Sequence, residues 1–297
     1  MNATPRGASW QASSVDGDVG FLSLSGAVVD EKGTLRVREP RNTDLFDLAM
    51  RLLNGSYAKP FVIDCDGMRR LHFGLLYIQS EMEIADPVRL CAAYTRTMMA
   101  CLLLAPDPGH VLIIGHGGGS LTKFCHRFLP HTRITAVDSS ADVIAFGELF
   151  GVPPDDDRLT VVHEDALHFL GTAGEAFDVI LLDLYDRKGP AALLGNEAFH
   201  ERLAARLRPG GVLLSNLMGT HPVGALHVAA LAAVFGGPPA LLDAEGENNR
   251  VALAIRDGRI PRDGSAIDRR AAALAARIPL EFAVIARALQ AAVGRSA

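Results

Sequence analysis

A run of apolar residues at 111–114 breaks directly into a loop, residues 115–119, in which four of the five residues are glycine. A short apolar run of this kind predicts a buried strand. Glycine lets the backbone take positive φ and removes the Cβ that would hold a ligand away. Residues 121–128 predict a helix whose N-terminus offers free N–H groups. Together, the strand, the loop and the helix predict a ligand-binding turn of an α/β sheet.

Strand and helix patterns alternate from residue 110 onwards. Strands are predicted at 110–114, 133–137, 159–162, 178–182 and 211–215. Helices are predicted between them, at 121–128, 140–150, 164–171 and 196–206. This alternation predicts a doubly wound, mostly parallel, Rossmann-like sheet. The remaining residues predict a closing antiparallel edge and a broken terminal helix: a helix at 223–235, strands at 240–242 and 250–255, and an Ala-rich helix at 267–294 interrupted at Pro279.

The part of the chain before this alternation divides into two segments. Residues 1–18 are small and polar, and we expect a flexible N-terminus. Residues 19–85 predict a small β-rich domain: a ribbon at 20–25 and 33–38, a helix at 45–53, and a β pair at 61–64 and 71–73 that continues to 78–79. Residues 86–297 form the predicted catalytic domain, which begins with a mostly buried helix at 90–104.

Composition narrows the function classes. The chain has 297 residues, 49% of them hydrophobic, so it can bury a sizeable core. Its formal net charge of −5 and its lack of a basic run argue against nucleic acid as a partner, and favour a small, possibly cationic substrate. Four scattered cysteines without a Cys-x-x-Cys pair predict no metal site. Without a signal peptide or a membrane-length apolar run, a cytoplasmic location is expected.

The glycine loop has the form Gly115-x-Gly117-x-Gly119, and Ser120 stands where a dinucleotide fingerprint needs its third glycine. NAD is therefore disfavoured, and the loop is of the type associated with S-adenosylmethionine-like nucleosides. His116, inside the loop, is expected to be exposed, although contact with the ligand is the alternative. We expect Lys123, on the following helix, to be solvated.

Acidic residues follow the next two strands. Asp138 ends the second strand, where a carboxylate can accept hydrogen bonds from both ribose hydroxyls. Asp165 would accept from the adenine amine, while the small Ala166 leaves room for the ring. In each case the alternative interpretation is a helix cap, formed by Asp138 near 139–140 and by Asp165 at 164–165.

Asp183 and Asp186 lie three residues apart on a loop beyond the fourth strand. Two carboxylates in this arrangement can converge on one cation. A carboxylate screened from water can also accept a proton from an ammonium that must become a nucleophile. The pair therefore indicates an amine attacking a sulfonium carbon, with an ordinary turn as the alternative.

From about residue 61 to 255 the sequence resembles the spermidine synthase (polyamine aminopropyltransferase) family, especially its divergent bacterial members. The resemblance rests on the glycine loop 115–119, Asp138, Glu164-Asp165-Ala166, the Asp183-x-x-Asp186 loop with Gly189-Pro190, the segments 197–199, 207–213 and 249–253, Gln79 and Tyr94. It implies an α/β fold of the S-adenosylmethionine-dependent methyltransferase type with a small N-terminal β domain that contributes to a homodimer interface.

The resemblance also implies roles for individual residues. Asp183 would be the proton acceptor, and Gln79, Tyr94 and Asp186 would line the amine or aminopropyl pocket. The nucleoside would be held by Gly115, Gly117, Gly119, Asp138, Asp165 and Ala166. No cofactor is expected to stay bound, because decarboxylated S-adenosylmethionine would enter as a co-substrate.

Two departures from the family pattern concern substrate choice. The usual loop is Gly-Gly-Gly-Asp-Gly, and Gly118 occupies the place of its Asp. The usual Tyr-His-Glu-Met reads Tyr94-Thr-Arg-Thr-Met here, so that Arg96 is gained. An inward Arg96 would favour a carboxylate-bearing ligand such as intact S-adenosylmethionine. Alternatively, Arg96 faces solvent.

Three functions follow from these residues. The first is aminopropyl transfer from decarboxylated S-adenosylmethionine to a polyamine acceptor such as putrescine, with release of methylthioadenosine. The second is a methyl or other alkyl transfer from S-adenosylmethionine. The third is a nucleoside-binding protein that retains the fold without catalysis.

Overall fold

The computed structural model describes residues 19–75, 77–219 and 221–295, and the predicted flexible N-terminus, 1–18, lies outside these residues. A five-stranded antiparallel sheet precedes a seven-stranded mixed sheet that has helices on both faces. The α/β architecture predicted from the sequence is confirmed.

The N-terminal sheet has the strand order β1-β2-β3-β4-β5 and is antiparallel throughout. Its strands are β1 Val19–Ser25, β2 Thr34–Pro40, β3 Phe61–Cys65, β4 Met68–Gly74 and β5 Tyr77–Glu83. Helix α1 (Leu45–Leu53) begins at the N-cap Asp44 and buries Leu48 and Leu52 against the sheet. The predicted second β pair is in fact three strands, because β5 pairs antiparallel with β4 instead of continuing it.

The larger sheet has the strand order β13-β14-β12-β9-β6-β7-β8. Its strands are β6 His110–Ile114, β7 Arg133–Asp138, β8 Leu159–His163, β9 Phe177–Leu182, β12 Leu207–Met218, β13 Ala240–Asp243 and β14 Asn249–Ile255, and a separate small hairpin pairs β10 Tyr185–Asp186 with β11 Gly189–Pro190. Strands β12, β9, β6, β7 and β8 are parallel. Strands β14 and β13 close the sheet as the predicted antiparallel edge.

Helices cover both faces of this sheet. They are α2 Ala93–Met98, α3 Cys101–Leu104, α4 Ser120–Phe128, α5 Ala141–Phe146, α6 Ala166–Thr172, α7 Glu197–Arg206, α8 Pro222–Phe235, α9 Gly264–Ala275 and α10 Phe282–Arg295. The predicted break at Pro279 separates α9 from α10. The single helix predicted at 90–104 is wrong: the backbone N–H groups of Met99 and Ala100 bond three residues back, which closes α2 in a tight turn before α3 begins.

Strand order fixes where a ligand can bind. After β6 the chain builds outward through β7 and β8, and it then returns to the other side of β6 with β9. Crossovers therefore diverge on either side of the β6/β9 pair, and open α/β sheets bind ligands beyond the carboxyl ends of strands at such a point. The N-terminal sheet packs beside this edge through Val62, Leu71 and Met82, which contact Phe146 and Phe150.

Within residues 19–75, 77–219 and 221–295, none of the helices has the length and apolar character needed to cross a membrane. In the same part of the chain, no three His, Cys, Asp or Glu side chains group as a metal ion would require.

Candidate active site

A cavity of about 670 Å³ opens at the carboxyl ends of β6 and β9, between the two sheets. Its walls come from the glycine loop, the ends of β7, β8 and β9, the β10–β11 hairpin and the N-terminal sheet. This volume lies within the range of small-molecule sites. The predicted site residues that line it are Gln79, Tyr94, Gly115, Gly117, Asp138, Asp165, Ala166, Asp183 and Asp186.

Asp183 follows β9 directly, and both of its carboxylate oxygens accept hydrogen bonds inside the cavity. The Tyr94 hydroxyl donates to Oδ2 at 2.9 Å, and the Asn216 amide donates to Oδ1 at 2.9 Å. The backbone N–H of Asp183 donates to Ile114 O at 2.8 Å, which joins it to the end of β6. The position of this carboxylate is therefore set by a strand end and by two side chains from other elements.

The electrostatic setting of Asp183 suits a proton acceptor. Burial raises the pKa of its carboxyl group, and the hydrogen bonds from Asn216 and Tyr94 act in the opposite direction. Burial, the charge of Asp183 and its hydrogen bond raise the pKa of Tyr94 well above the usual phenol value. Tyr94 therefore remains a hydrogen-bond donor at any ordinary pH, and the proton-accepting capacity of the pair resides on Asp183.

Asp138 joins the end of β7 to the glycine loop. Its Oδ2 accepts from the backbone N–H groups of His116, at 3.0 Å, and Gly117, at 3.3 Å, while its Oδ1 accepts from Ser140 N at 2.9 Å. Burial raises the pKa of Asp138, and these three backbone hydrogen bonds lower it. Ser140, rather than Asp138, is the N-cap of α5. Asp138 thus shapes the loop while its carboxylate lies on the cavity wall.

Asp165 is a helix cap, as its alternative interpretation predicts, and its contact with adenine stays a prediction. Its Oδ1 accepts from the backbone N–H groups of Leu167, at 2.9 Å, and His168, at 3.1 Å, so that it is the N-cap of α6. It also lines the cavity beside Ala166, whose side chain is buried. Both residues therefore lie one strand away from Asp138 on the same wall.

Asp186 lies at the exposed rim of the cavity, on the β10–β11 hairpin. Its Oδ1 accepts from Lys188 N at 2.7 Å within the turn. The neighbouring Arg187 donates to Tyr57 O at 3.0 Å, which joins this hairpin to the segment between α1 and β3. Asp183 and Asp186 therefore line one cavity but differ in depth, with Asp183 inside and Asp186 at the entrance.

Gly119 is the one predicted site residue that the structure does not bring to the cavity wall. It is the N-cap of α4, at φ +69°, and a Cβ at this position would lie 2.4 Å from Val152 Cγ2. The residue is needed for the turn into α4, because any side chain would collide there. The nucleoside contact that the family resemblance implies for Gly119 stays a prediction.

Comparison with known proteins gives the family. A profile of the spermine/spermidine synthase domain matches residues 92–222. The polyamine aminopropyltransferase of Chromobacterium violaceum is 33% identical over 216 residues, which span 72% of this chain and 83% of that protein. The chain belongs to the spermine/spermidine synthase family. The family resemblance predicted from the sequence is confirmed, and with it the assignment to a family of transferases.

Solved structures agree on the fold. A probable spermidine synthase from Corynebacterium glutamicum matches with a TM-score of 0.59 and 17% identity, covering 71% of this chain and 83% of that one. Human methyltransferase-like protein 13, solved in complex with SAH, matches with a TM-score of 0.55 and 23% identity, covering 67% of this chain and 93% of that one. The fold is therefore of the S-adenosylmethionine-dependent methyltransferase type, as predicted.

Gly118 occupies the place of the acid in the family loop, and the structure shows a physical reason for its small size. A Cβ at Gly118 would lie 2.8 Å from Phe150 Cδ1 and 3.0 Å from Ser80 Cβ. Its backbone N–H donates to Ser80 Oγ at 2.9 Å. An acidic side chain therefore has no room at this position while Phe150 keeps its place.

The predicted exposure of His116 and Lys123 is wrong. His116 is 5% exposed and lines the cavity, and its Nδ1 lies 3.2 Å from Thr122 Oγ1. Burial, assisted by the charge of Lys123, lowers the pKa of His116 to about 4, so the imidazole is neutral near pH 7. Lys123 is 2% exposed, and its Nζ donates to Phe150 O at 2.7 Å. Lys123 also contacts Met82 of the N-terminal sheet, and the local sequence does not reveal this packing.

The buried ammonium of Lys123 should make stability depend on pH in the alkaline range. Burial lowers the pKa of Lys123 from its usual 10.5 to about 8. Between these values the unfolded chain holds a proton that the folded chain has released, so the free energy of unfolding should rise with pH. Urea denaturation measures the free energy of unfolding of wild type and of Lys123→Met. Between pH 8 and 10.5 we expect this free energy to rise by ~3 kcal/mol more in wild type than in Lys123→Met. Lys32→Met, at an exposed position, is the control and should follow the wild-type curve; parallel curves for Lys123→Met would contradict the expectation.

Arg96 does not point into the cavity and is partly exposed. Its Nη1 donates to the backbone carbonyls of Leu90, at 2.8 Å, and Cys91, so it braces the segment before α2. It is not among the described residues that line the cavity. Glu81 does line the cavity, and its Oε2 lies 3.2 Å from Arg70 Nε in an ion pair. The sequence change at 96 therefore adds no cation to the cavity wall.

Sequence reasoning missed three polar residues of the site. Asn216, near the end of β12, is the second hydrogen-bond donor to Asp183. Glu247 and Asn249, at the turn into β14, also line the cavity. The available signal for Asn216 was a polar residue at the end of an apolar strand. Asn249 begins a segment that carries the family resemblance, but its contact with Asn216 lies 33 residues away in sequence and could not be predicted.

Proposed function

We propose that this protein transfers an aminopropyl group from decarboxylated S-adenosylmethionine to a polyamine acceptor such as putrescine, and releases methylthioadenosine. The observation that carries the proposal is the Asp183 carboxylate, held inside the cavity beside the glycine loop by Tyr94 and Asn216. Membership of the spermine/spermidine synthase family supports the same reaction class.

Asp183 would act by removing a proton from the acceptor. The acceptor ammonium gives a proton to the carboxylate, and the freed nitrogen lone pair attacks the carbon next to the sulfonium sulfur. A nitrogen–carbon bond forms, the carbon–sulfur bond breaks with its electrons passing to sulfur, and the proton remains on Asp183 until it is lost to water. Burial favours this step because it raises the pKa of the accepting carboxyl group.

The charge of the cavity fits two cationic substrates. Seven acidic residues line it: Glu81, Asp138, Glu164, Asp165, Asp183, Asp186 and Glu247. Among the lining residues in the described ranges, Arg187 is the single lysine or arginine, and its Nη2 bonds to Tyr57 O. An excess of carboxylates attracts polyamines and a sulfonium compound, and it stabilises the positive charge as it moves from sulfur to nitrogen.

We propose that the nucleoside and the amine bind at opposite ends of the cavity. The nucleoside would lie along Gly115, Gly117 and the wall of Asp138, Asp165 and Ala166, with Asp138 on the ribose and Asp165 on the adenine amine. The amine would lie towards the other end, where Gln79, Tyr94 and Asp186 surround Asp183. In this arrangement the rim carboxylate of Asp186 holds the distal ammonium and leaves the proximal one beside Asp183.

The test is release of methylthioadenosine. The purified chain is incubated with decarboxylated S-adenosylmethionine and putrescine, and methylthioadenosine is quantified by chromatography. Turnover that requires both substrates supports the proposal. Failure to form methylthioadenosine with putrescine, spermidine or cadaverine at micromolar enzyme would remove it.

A second candidate is alkyl transfer from intact S-adenosylmethionine. Gly118 favours it, because Phe150 leaves no room for the acid that the family loop places there to hold the donor ammonium. Calorimetry with intact and decarboxylated S-adenosylmethionine separates the candidates. Tighter binding of the decarboxylated form supports aminopropyl transfer, and tighter binding of the intact form supports this alternative.

We also propose that the protein is a cytoplasmic homodimer and that the unit 19–85 contributes to its interface beside the unit 86–297. Helix α1 supports this, since its outer face carries exposed apolar side chains of Leu45, Phe46 and Leu53, 52%, 76% and 61% exposed. Apolar patches of this kind are typical of association surfaces.

Replacing one of these side chains should weaken the dimer. We expect Phe46→Glu to shift sedimentation velocity at micromolar protein from dimer towards monomer, because a buried carboxylate at an apolar interface is unfavourable. Leu226→Glu, at an exposed apolar position on α8, is the matched control and should remain dimeric. A dimer that persists in Phe46→Glu would show that α1 lies outside the interface.

A further inference from the structure

We propose that the turn into β14 positions the catalytic carboxylate, with Asn249 acting through Asn216 and Glu247 acting through Tyr94. The inference rests on the proposed function of Asp183 as proton acceptor. It assigns two positioning residues that lie beyond residues 92–222, the part that matches the family profile.

Asn249 determines which way the Asn216 amide faces. Its Nδ2 donates to Asn216 Oδ1 at 2.9 Å, and Asn216 Nδ2 donates to Asp183 Oδ1 at 2.9 Å. Asn216 is 3% exposed, so water cannot readily replace either partner. Without Asn249, the buried carbonyl of Asn216 would lack a donor, and a flipped amide would turn that oxygen towards the carboxylate of Asp183.

Glu247 holds the start of the helix that carries Tyr94. Its two carboxylate oxygens accept from Ala93 N at 2.6 Å and from Tyr94 N at 3.1 Å. The N-cap residue of α2, Ala92, provides no side-chain cap. Glu247, more than 150 residues away in sequence, therefore satisfies N–H groups that would otherwise lack acceptors at this helix end.

The two contacts converge on one carboxylate. Asn249 fixes the donor to Asp183 Oδ1, and Glu247 fixes the helix whose hydroxyl donates to Oδ2. The phenols of Tyr94 and of Tyr185 on β10 interact electrostatically with Asp183, and the carboxylates of Glu247 and Asp186 line the same cavity. Two hydrogen bonds to the charged form are therefore the main local influences that oppose the effect of burial on Asp183.

Asn249→Ala tests the first contact through a pH profile. The Asp183 carboxylate should lose part of its stabilisation, so the acid limb of kcat/KM should move to higher pH by about one pH unit. We expect kcat at pH 7 to fall about tenfold. In an Asn216→Ala background, Asn249→Ala should change kcat by less than about twofold, because the residue through which it acts is absent.

Glu247→Ala tests the second contact. We expect kcat to fall about tenfold, with partial recovery in Glu247→Gln, whose amide oxygen can accept one of the two hydrogen bonds. In a Tyr94→Phe background, Glu247→Ala should have less than about a twofold further effect on kcat. A change in KM alone would instead show that Glu247 acts as a charge on the cavity wall, and would overturn its positioning role.

The controls are Asn248→Ala and Glu245→Ala, which alter neighbouring side chains of the same turn outside the cavity wall and should retain wild-type kinetics. Equal losses in the controls, or full additivity in both double mutants, would overturn the inference.

A readout independent of activity separates this inference from the proposed function. The carboxyl carbon of Asp183 can be titrated by NMR in 13C-aspartate-labelled protein and assigned with Asp183→Asn. If Asn249→Ala raises the measured pKa of Asp183 in a protein without aminopropyl transfer, the positioning role stands and the proposed function fails. If wild type turns over but this pKa does not move, the positioning role of Asn249 fails and the proposed function stands.

Discussion

Asp183→Asn is expected to lower kcat for methylthioadenosine formation by about 10²–10⁴-fold, since this is the usual contribution of a general base. The amide keeps the shape of the carboxylate, and its oxygen can still accept from Asn216 while its nitrogen faces the Tyr94 hydroxyl. The fold should therefore remain intact. Steady-state kinetics, with binding of methylthioadenosine measured by calorimetry, checks the result, and the binding should change by less than about threefold.

Asp186→Asn is the matched control for this prediction. It makes the same chemical change three residues along, at the exposed rim of the same cavity. Because Asp186 is proposed to hold the distal ammonium, its replacement should raise KM for the amine more than it lowers kcat. Wild-type turnover by Asp183→Asn, or an equal loss of kcat in both variants, would refute the role of Asp183 as proton acceptor.

Among the substitutions considered, Gly115→Ala is expected to destabilise the protein most. Backbone strain and steric conflict together should lower the free energy of unfolding by about 4 kcal/mol. Gly115 has φ +90°, and a Cβ there would lie 2.0 Å from the carbonyl oxygen of Asp183. Neither backbone can move away easily, because Asp183 N donates to Ile114 O at 2.8 Å and β6 pairs directly with β9. Urea denaturation should show the loss, and methylthioadenosine binding should weaken with it.

Gly236→Ala separates strain from collision. Gly236 also has positive φ, +75°, at the end of α8, but no atom of the described residues lies within 4 Å of its added Cβ. The free energy of unfolding of Gly236→Ala should therefore fall by only about 1–2 kcal/mol, the cost of a left-handed conformation for a residue with a side chain. Similar losses of stability in Gly115→Ala and Gly236→Ala would show that the close approach to Asp183 does not add to the destabilisation.

The residues predicted from the sequence to form the site are those whose placement depends on local pattern and strand order. Gly115 and Asp183 each follow an apolar strand directly and Asp138 is the last residue of one, and parallel strands bring their carboxyl ends to one edge. Hydrophobic pattern and composition are sufficient to identify the strands, so the sequence alone predicts that these residues meet.

Residues governed by contacts between distant segments could not be predicted in this way. Lys123 has the sequence of a solvated helix position, and the N-terminal sheet buries it through Met82, 41 residues earlier. Asn216 and Asn249 meet because β12 pairs with the antiparallel strand β14, and this pairing is not visible in either segment alone. The break between α2 and α3 likewise follows from packing, because the apolar run at 90–104 suits one helix as well as two.

The glycine loop is held partly by the smaller sheet, through the hydrogen bond from Gly118 N to Ser80 Oγ and through Lys123, which contacts Met82 of β5. If the glycine loop holds the donor nucleoside, as proposed above, donor preference depends on residues of both sheets. A chimera that takes only the larger unit from a relative would inherit a loop without its support, so exchange of selectivity among these enzymes requires the two units to be transplanted together.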